Sequence, residues 1–405
     1  MLQKDNKCYL IEYFLPFYYL LSFYSGYFYI GIGNAILLFI GLAQFNLRRV
    51  FVFEQKRKSI LFFYLFIACK DVFRAIMWGS FTPLNNMLEY TLLFIAVSLV
   101  TNHCFDEDRL YKSWKVAGFI YSLGVLYHLF KLYVLGTNVY PISIFPGFQL
   151  GNGIASTRPV SFFPEPAACA SALLPLIFLA IRRKDYVVAL VYSFVVISTT
   201  STVGIILVGV LWIYGIVFSN IKLQTKIMLT IIIIALCSSI SSLTFINDGV
   251  EKLVGVSNGE GTFGSRIKVG ADLISSMNVP ELIFGTHYSN VYNFIENHSL
   301  SKSSVVMVYY NAENVFLNGF SYLMLHYGII GTILYLKIVI SRLRDKGYVA
   351  KGLLVMHLVS MVGQSTILNS LFFQVFILYL LYDSYQNNEE DVDYGGLRIG
   401  KGTQL

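Results

Sequence analysis

Residues 158–180 read RPVSFFPEPAACASALLPLIFLA. An arginine, and then a glutamate held between two prolines, lead straight into an apolar run with no further charge before Arg182. Pro166 suits the first turn of a helix, where its missing N–H costs nothing. Glu165 is favourable just ahead of it, at the positive end of the helix dipole. The run itself approaches the roughly 20 apolar residues that a bilayer core requires of a helix. Read outward from here, the chain repeats the pattern. Its 405 residues are 56% hydrophobic and only 13% charged, with a mean hydropathy of +0.63, against about 25% charged in soluble domains. So little charge cannot cover a surface facing water. The expected class is an all-α integral membrane protein.

Counting apolar runs gives about 12 transmembrane helices, near 8–25, 27–46, 59–80, 87–104, 114–135, 166–182, 186–201, 202–219, 227–245, 313–340, 352–366 and 367–383. The joins at 25–27, 201–202 and 366–367 are tight. The membrane domain then occupies residues 1–383. The polar tail 384–405 lacks the apolar content to form a core and is expected to be disordered. The N-terminal MLQKDNK leads into the first apolar run without a small-residue cleavage site, which reads as a retained anchor.

The net charge of +7 suggests cytoplasmic loops rather than nucleic acid as its cause. With the N-terminus cytoplasmic, five of the thirty Lys and Arg fall outside: Arg158, Lys252, Arg266, Lys268 and Lys302. Four lie within spans, Lys70, Arg74, Lys131 and Lys337, and the other twenty-one lie inside. The bias falls on alternate loops and puts both termini in the cytoplasm. Two outside segments are long, about 136–165 and about 246–312, the second being the large extracytoplasmic loop. Long loops in a compact protein tend to carry function. The five cysteines are scattered, with no CxxC pair, so neither a disulfide framework nor a zinc site is indicated.

Within the large loop, GTFGSRIKVGADLI (261–274) carries Arg266 and Lys268. A guanidinium on the sparsely basic face is suited to paired contacts with phosphate oxygens, although a solvated loop arginine is the plainer alternative. Lys268, two residues on, can simply face solvent. The glycines 259, 261 and 264 lack the GK[ST] ending of a phosphate-binding loop and read as loop flexibility. In the third span Lys70, Asp71 and Arg74 share a helix face. Asp71 neutralises one cation, and the excess positive charge offers a site for a diphosphate or lipid headgroup.

The order of these features resembles a known group. It runs from the arginine before the EP helix start, through STTSTVG (198–204), to a large outside loop with SR, FG and EN elements and a helix carrying HYGIIG (326–331). This is similar to the O-antigen polymerase and ligase superfamily, and more narrowly to the Wzy-type polymerases of bacterial surface polysaccharides. The motifs cover roughly residues 150–345 and are individually short. The resemblance implies a metal-independent glycosyltransferase of the bacterial cytoplasmic (inner) membrane, with its active site facing the periplasm or cell exterior. It implies undecaprenyl-diphosphate-linked oligosaccharides as substrates, joined into O-antigen or capsule. It implies no cofactor and no nucleic acid, with membrane lipid and a chain-length regulator or flippase of the same pathway as partners. Arg158 and Arg266 would then stabilise the leaving diphosphate, with Lys268, Lys70 and Arg74 as further diphosphate-binding residues. A sugar hydroxyl benefits from a general base. Where ligases of this group carry histidine, this chain reads AEN, so Glu313, Glu165 and His287 stand as catalytic alternatives. A ligase, or a non-enzymatic flippase or exporter, remains the competing reading.

Overall fold

The computed structural model describes residues 10–24, 31–48, 58–79, 82–100, 106–145, 150, 155–218, 224, 226–228, 261–288, 291–298, 317–343, 347–364 and 368–395. The described residues are 82% helical, and there is no strand among them. The helices in chain order are α1 (Leu10–Ser22), α2 (Ile32–Arg48), α3 (Lys58–Trp78), α4 (Thr82–Val100), α5 (Glu107–Leu129, continued by a π turn Phe130–Val134), α6 (Pro166–Arg182), α7 (Tyr186–Ser198) and α8 (Thr202–Phe218). They continue with α9 (Gly261–Ser275), α10 (Val279–Phe284), α11 (Val291–Asn297), α12 (Gly319–Leu343), α13 (Tyr348–Gly363) and α14 (Ser370–Gly395).

Among the described residues, two stretches, Glu107–Val134 and Gly319–Val339, are long and apolar enough to cross a membrane, and several shorter apolar helices accompany them. Eleven of the apolar runs expected from the sequence coincide with helices. The run 227–245 lies almost wholly outside the described residues. The outward faces stay apolar, with Phe62, Ile76, Val187 and Ile213 all exposed, Ile76 by 74%. A water-facing surface would not leave so many large apolar side chains uncovered.

α6 is the centre of the molecule. It is apolar all round, and every residue from Ala168 to Ile181 is buried, as befits a helix with neighbours on every side. Small residues let those neighbours close in. Gly204 of α8 leaves only enough room for Ala170, and Gly215 packs on Ile181. α7 is shorter than expected. Its 13 residues span about 20 Å, less than the roughly 30 Å of hydrocarbon. It ends in a turn, Ser198 to Ser201, in which all four residues are buried. Irregular backbone at such depth is tolerated only inside protein.

Three expectations are corrected. α5 begins at Glu107 rather than 114, because Asp106 caps it by accepting the Arg109 N–H at 3.1 Å. Gly261 and Gly264 are not loop but the first turns of α9, whose Val269 and Leu273 are buried against the chain. Residues 384–395 continue α14 as helix instead of being disordered, and the helix ends on Gly395. No proline interrupts that stretch, and it contains helix-forming Gln and Glu.

Ion pairs gather at one end of the bundle. Arg182 and Arg183, at the C-terminal end of α6, pair with Glu107, and Arg183 reaches Asp108 at 2.5 Å. Tyr111 donates to Asp185 at 2.8 Å. The segment 155–165 leads into the opposite end of α6, and α9 reaches the same side of the bundle through the C-terminal end of α13.

Candidate functional site at the end of the bundle that carries Glu165

Arg158 and Glu165 belong to an irregular segment that α5 holds in place. His128 Nδ1 accepts the N–H groups of Val160 and Ser161 at 3.2 and 3.1 Å, and Ser161 Oγ donates to the Tyr121 carbonyl at 2.8 Å. Ser161 sits at φ 54°, and its side chain fits because Gly124 opposite has no Cβ. A Cβ there would lie 2.2 Å from Ser161 Oγ. Burial pushes the Arg158 guanidinium below its ordinary pKa, and the charge of Glu165 opposes the shift, so the two are within electrostatic reach. Glu165 is the N-cap of α6, with extended backbone and Pro166 following, as the sequence suggests. Its side chain makes no capping hydrogen bond and is exposed.

Arg266 projects from α9. Its Nη1 donates to the Gly363 carbonyl at the end of α13, at 2.6 Å. The next residue, Gln364, donates to Ser171 Oγ on α6 at 3.3 Å. Ser171 lies about 9 Å along the helix from Glu165. One backbone–side-chain bridge therefore connects Arg266 to the helix that Glu165 begins. Lys268 is exposed on α9.

The third group is the most connected. α12 is broken at Gly328, which has φ 64° and ψ −168°. The residues after α10 enter that break. Gly285 has φ 80°, and a Cβ on it would lie 2.3 Å from the His326 carbonyl. Thr286 N–H donates to the Leu325 carbonyl at 2.7 Å. α3 clamps the same loop from the other side. Lys70 Nζ donates to the Gly285 carbonyl at 2.8 Å, and Arg74 Nε and Nη2 donate to the Tyr288 carbonyl at 2.9 and 2.6 Å. Arg74 also pairs with the buried Asp71 at 3.3 Å. Both cations thus have protein partners and fix the backbone on either side of His287.

His287 itself is 38% exposed, with Nδ1 3.8 Å from Glu281 Oε1. Glu281 is buried at 4% exposure. Its Oε2 lies 3.1 Å from His298 Nε2 and accepts the Asn278 N–H at 3.1 Å, completing a capping box on α10. His298, just past α11, is anchored between Glu281 and the Phe294 carbonyl. Among the described residues no group of three or more His, Cys, Asp or Glu is arranged to hold a metal ion.

Lys70, Arg74 and His287 are therefore brought together, Arg158 and Glu165 form a second group, and Arg266 is linked to the second through Gln364. Glu313 lies outside the described residues. Sequence reasoning missed Glu281 and His326. The NVPE spacing of Asn278 and Glu281 was a legible capping-box signal, whereas nothing in the sequence marks His326 as facing α3. Chemically the arrangement offers guanidinium groups for an anion and a carboxylate–imidazole pair able to accept a proton. No family model matches the chain. No curated protein matches its sequence either.

Proposed function

We propose that the chain polymerises polyprenyl-diphosphate-linked oligosaccharide repeat units at the outer face of a bacterial cytoplasmic membrane. In this reading it is a protein of about 12 spans with both termini cytoplasmic and the 246–312 segment outside. Arg158 and Arg266 hold the diphosphate, and a base among Glu165, His287 and Glu313 receives the proton of the acceptor hydroxyl. Lys70 and Arg74 support the site by holding its backbone.

The observation that carries this reading is one of sidedness. The hydrogen bonds by which Lys70, Arg74, Arg266 and Thr286 tie the 261–298 region to other helices fall on helix ends that the charge bias assigns to the exterior: the later part of α3, the C-terminus of α13 and the first third of α12. The ion pairs of Arg182 and Arg183 fall on ends assigned to the interior.

The test is complementation of a strain lacking its polymerase, with surface glycan resolved on a gel and protein amounts checked by immunoblot. Wild type should restore a ladder. Arg158→Ala and Arg266→Ala should leave single-repeat glycan, a loss of at least about 100-fold in longer chains, in line with removing one charge-stabilising donor. A null strain that displays no single repeats at all would instead assign the chain to export or ligation.

A further inference from the structure

We propose that His287 is the base and that Glu281 is the positioning residue that orients it. The inference rests on the polymerase reading above and names which side chain takes the proton. Three observations converge. Glu281 is more than nine-tenths buried, and its Oε2 is occupied by His298 and the Asn278 N–H. Its other oxygen, Oε1, is also buried and accepts no hydrogen bond from the described residues. The imidazole in front of that oxygen is His287, whose Nδ1 is 3.8 Å away. A small rotation of an exposed ring closes the gap, whereas leaving a buried carboxylate oxygen unpaired is costly.

A carboxylate that accepts the Nδ1–H fixes the tautomer and leaves the basic lone pair on Nε2, the general logic of a base oriented by a third group. Three elements hold the pair still. α3 grips the carbonyls of Gly285 and Tyr288 through Lys70 and Arg74, the α12 break accepts Gly285, and α11 sets the position of His298, the residue that follows it. The charged and titratable groups described around the pair include Lys70 of α3, within electrostatic reach of Glu281, Tyr288, whose ring lies 4.2 Å from that of His287, and His298, just past α11.

In the step this implies, the acceptor sugar oxygen forms a bond to the anomeric carbon of the donor. The bond from that carbon to the diphosphate oxygen breaks, and its electron pair leaves with the diphosphate. The hydroxyl proton moves to His287 Nε2, and the resulting imidazolium is stabilised by the Glu281 charge until the proton passes to water.

The test uses the full-length protein in lipid nanodiscs, with side-chain nitrogen-15 NMR of the histidines and the His287 signal assigned by its loss in His287→Gln. Wild type should show the Nδ1–H tautomer. Glu281→Gln should shift it toward Nε2–H, while Asn278→Ala, which breaks only the cap, should not. In parallel, His287→Gln and Glu281→Gln should lower polymerisation about 100-fold through kcat, with KM little changed. An Nε2–H tautomer in wild type, or one indifferent to Glu281→Gln in protein that melts normally, overturns the positioning role. A normal ladder from His287→Gln, beside a lost ladder from Arg158→Ala, overturns the base assignment and leaves the polymerase reading standing. No ladder from wild type removes that reading and the base assignment together.

Discussion

Arg74 and Lys70 are the residues whose loss is easiest to forecast. Arg74 joins Asp71 and the Tyr288 carbonyl in a setting where its own side chain is 6% exposed and that of Asp71 3%. Arg74→Ala leaves the buried Asp71 without its hydrogen-bonded partner, with only the neighbouring Lys70 to offset its charge, and is expected to cost up to about 3–5 kcal/mol, measured as a lowered melting temperature in detergent. Lys70→Met leaves one carbonyl, that of Gly285, without its donor and should cost about 1–3 kcal/mol. The pair was legible in sequence as charges sharing a face of an apolar helix. Their partners were not, because those are carbonyls more than 200 positions away in the chain.

At the scale of the element, the break in α12 is the informative feature. The sequence HYGIIG reads as a continuous apolar helix with a glycine in it, and glycine inside a helix is common enough to pass unnoticed. What makes Gly328 obligatory is its neighbour. A Cβ there would meet the Gly285 nitrogen and the Ile283 carbonyl at 2.4 Å, and φ is already +64°. Gly328→Ala is expected to cost about 2–4 kcal/mol in backbone strain and clash and to release the His287 loop, read as faster amide exchange across 283–288. The start of α6 is the opposite case. Glu165, Pro166 and the apolar run specify it locally, and the backbone follows them. α9 was misread because two glycines outweighed the apolar spacing of Val269 and Leu273. That helix is held by burial against its neighbours rather than by propensity, as most helices in proteins are.

For the whole molecule the forecast concerns sides. In a background lacking the five native cysteines, Ser275→Cys and Glu296→Cys, both at exposed positions, should react with a membrane-impermeant thiol reagent added to intact cells. Lys112→Cys, exposed beside the Arg182 and Arg183 ion pairs, should react only after permeabilisation. The reverse pattern would sink the proposed orientation. It would also move Arg158, Arg266 and His287 to the cytoplasmic side, where lipid-linked repeat units are not joined in the proposed scheme.

The sequence by itself determined the helical, apolar character of the chain and the positions of eleven of its helices, because hydropathy and the scarcity of charge are local and additive along the chain, but it missed α9, α10 and α11 within the 246–312 segment. It also marked Arg158, Glu165, Arg266 and His287 as unusual, since polar groups beside apolar runs stand out one at a time. Only the tertiary structure decided which of them meet. It turned Lys70 and Arg74 toward backbone carbonyls, brought Glu281 and His298 to His287, shortened α7 into a buried turn, and linked Arg266 to α6 through Gln364. These are contacts between residues far apart in sequence, and each depends on where a whole helix packs. Neither residue type nor spacing encodes that position.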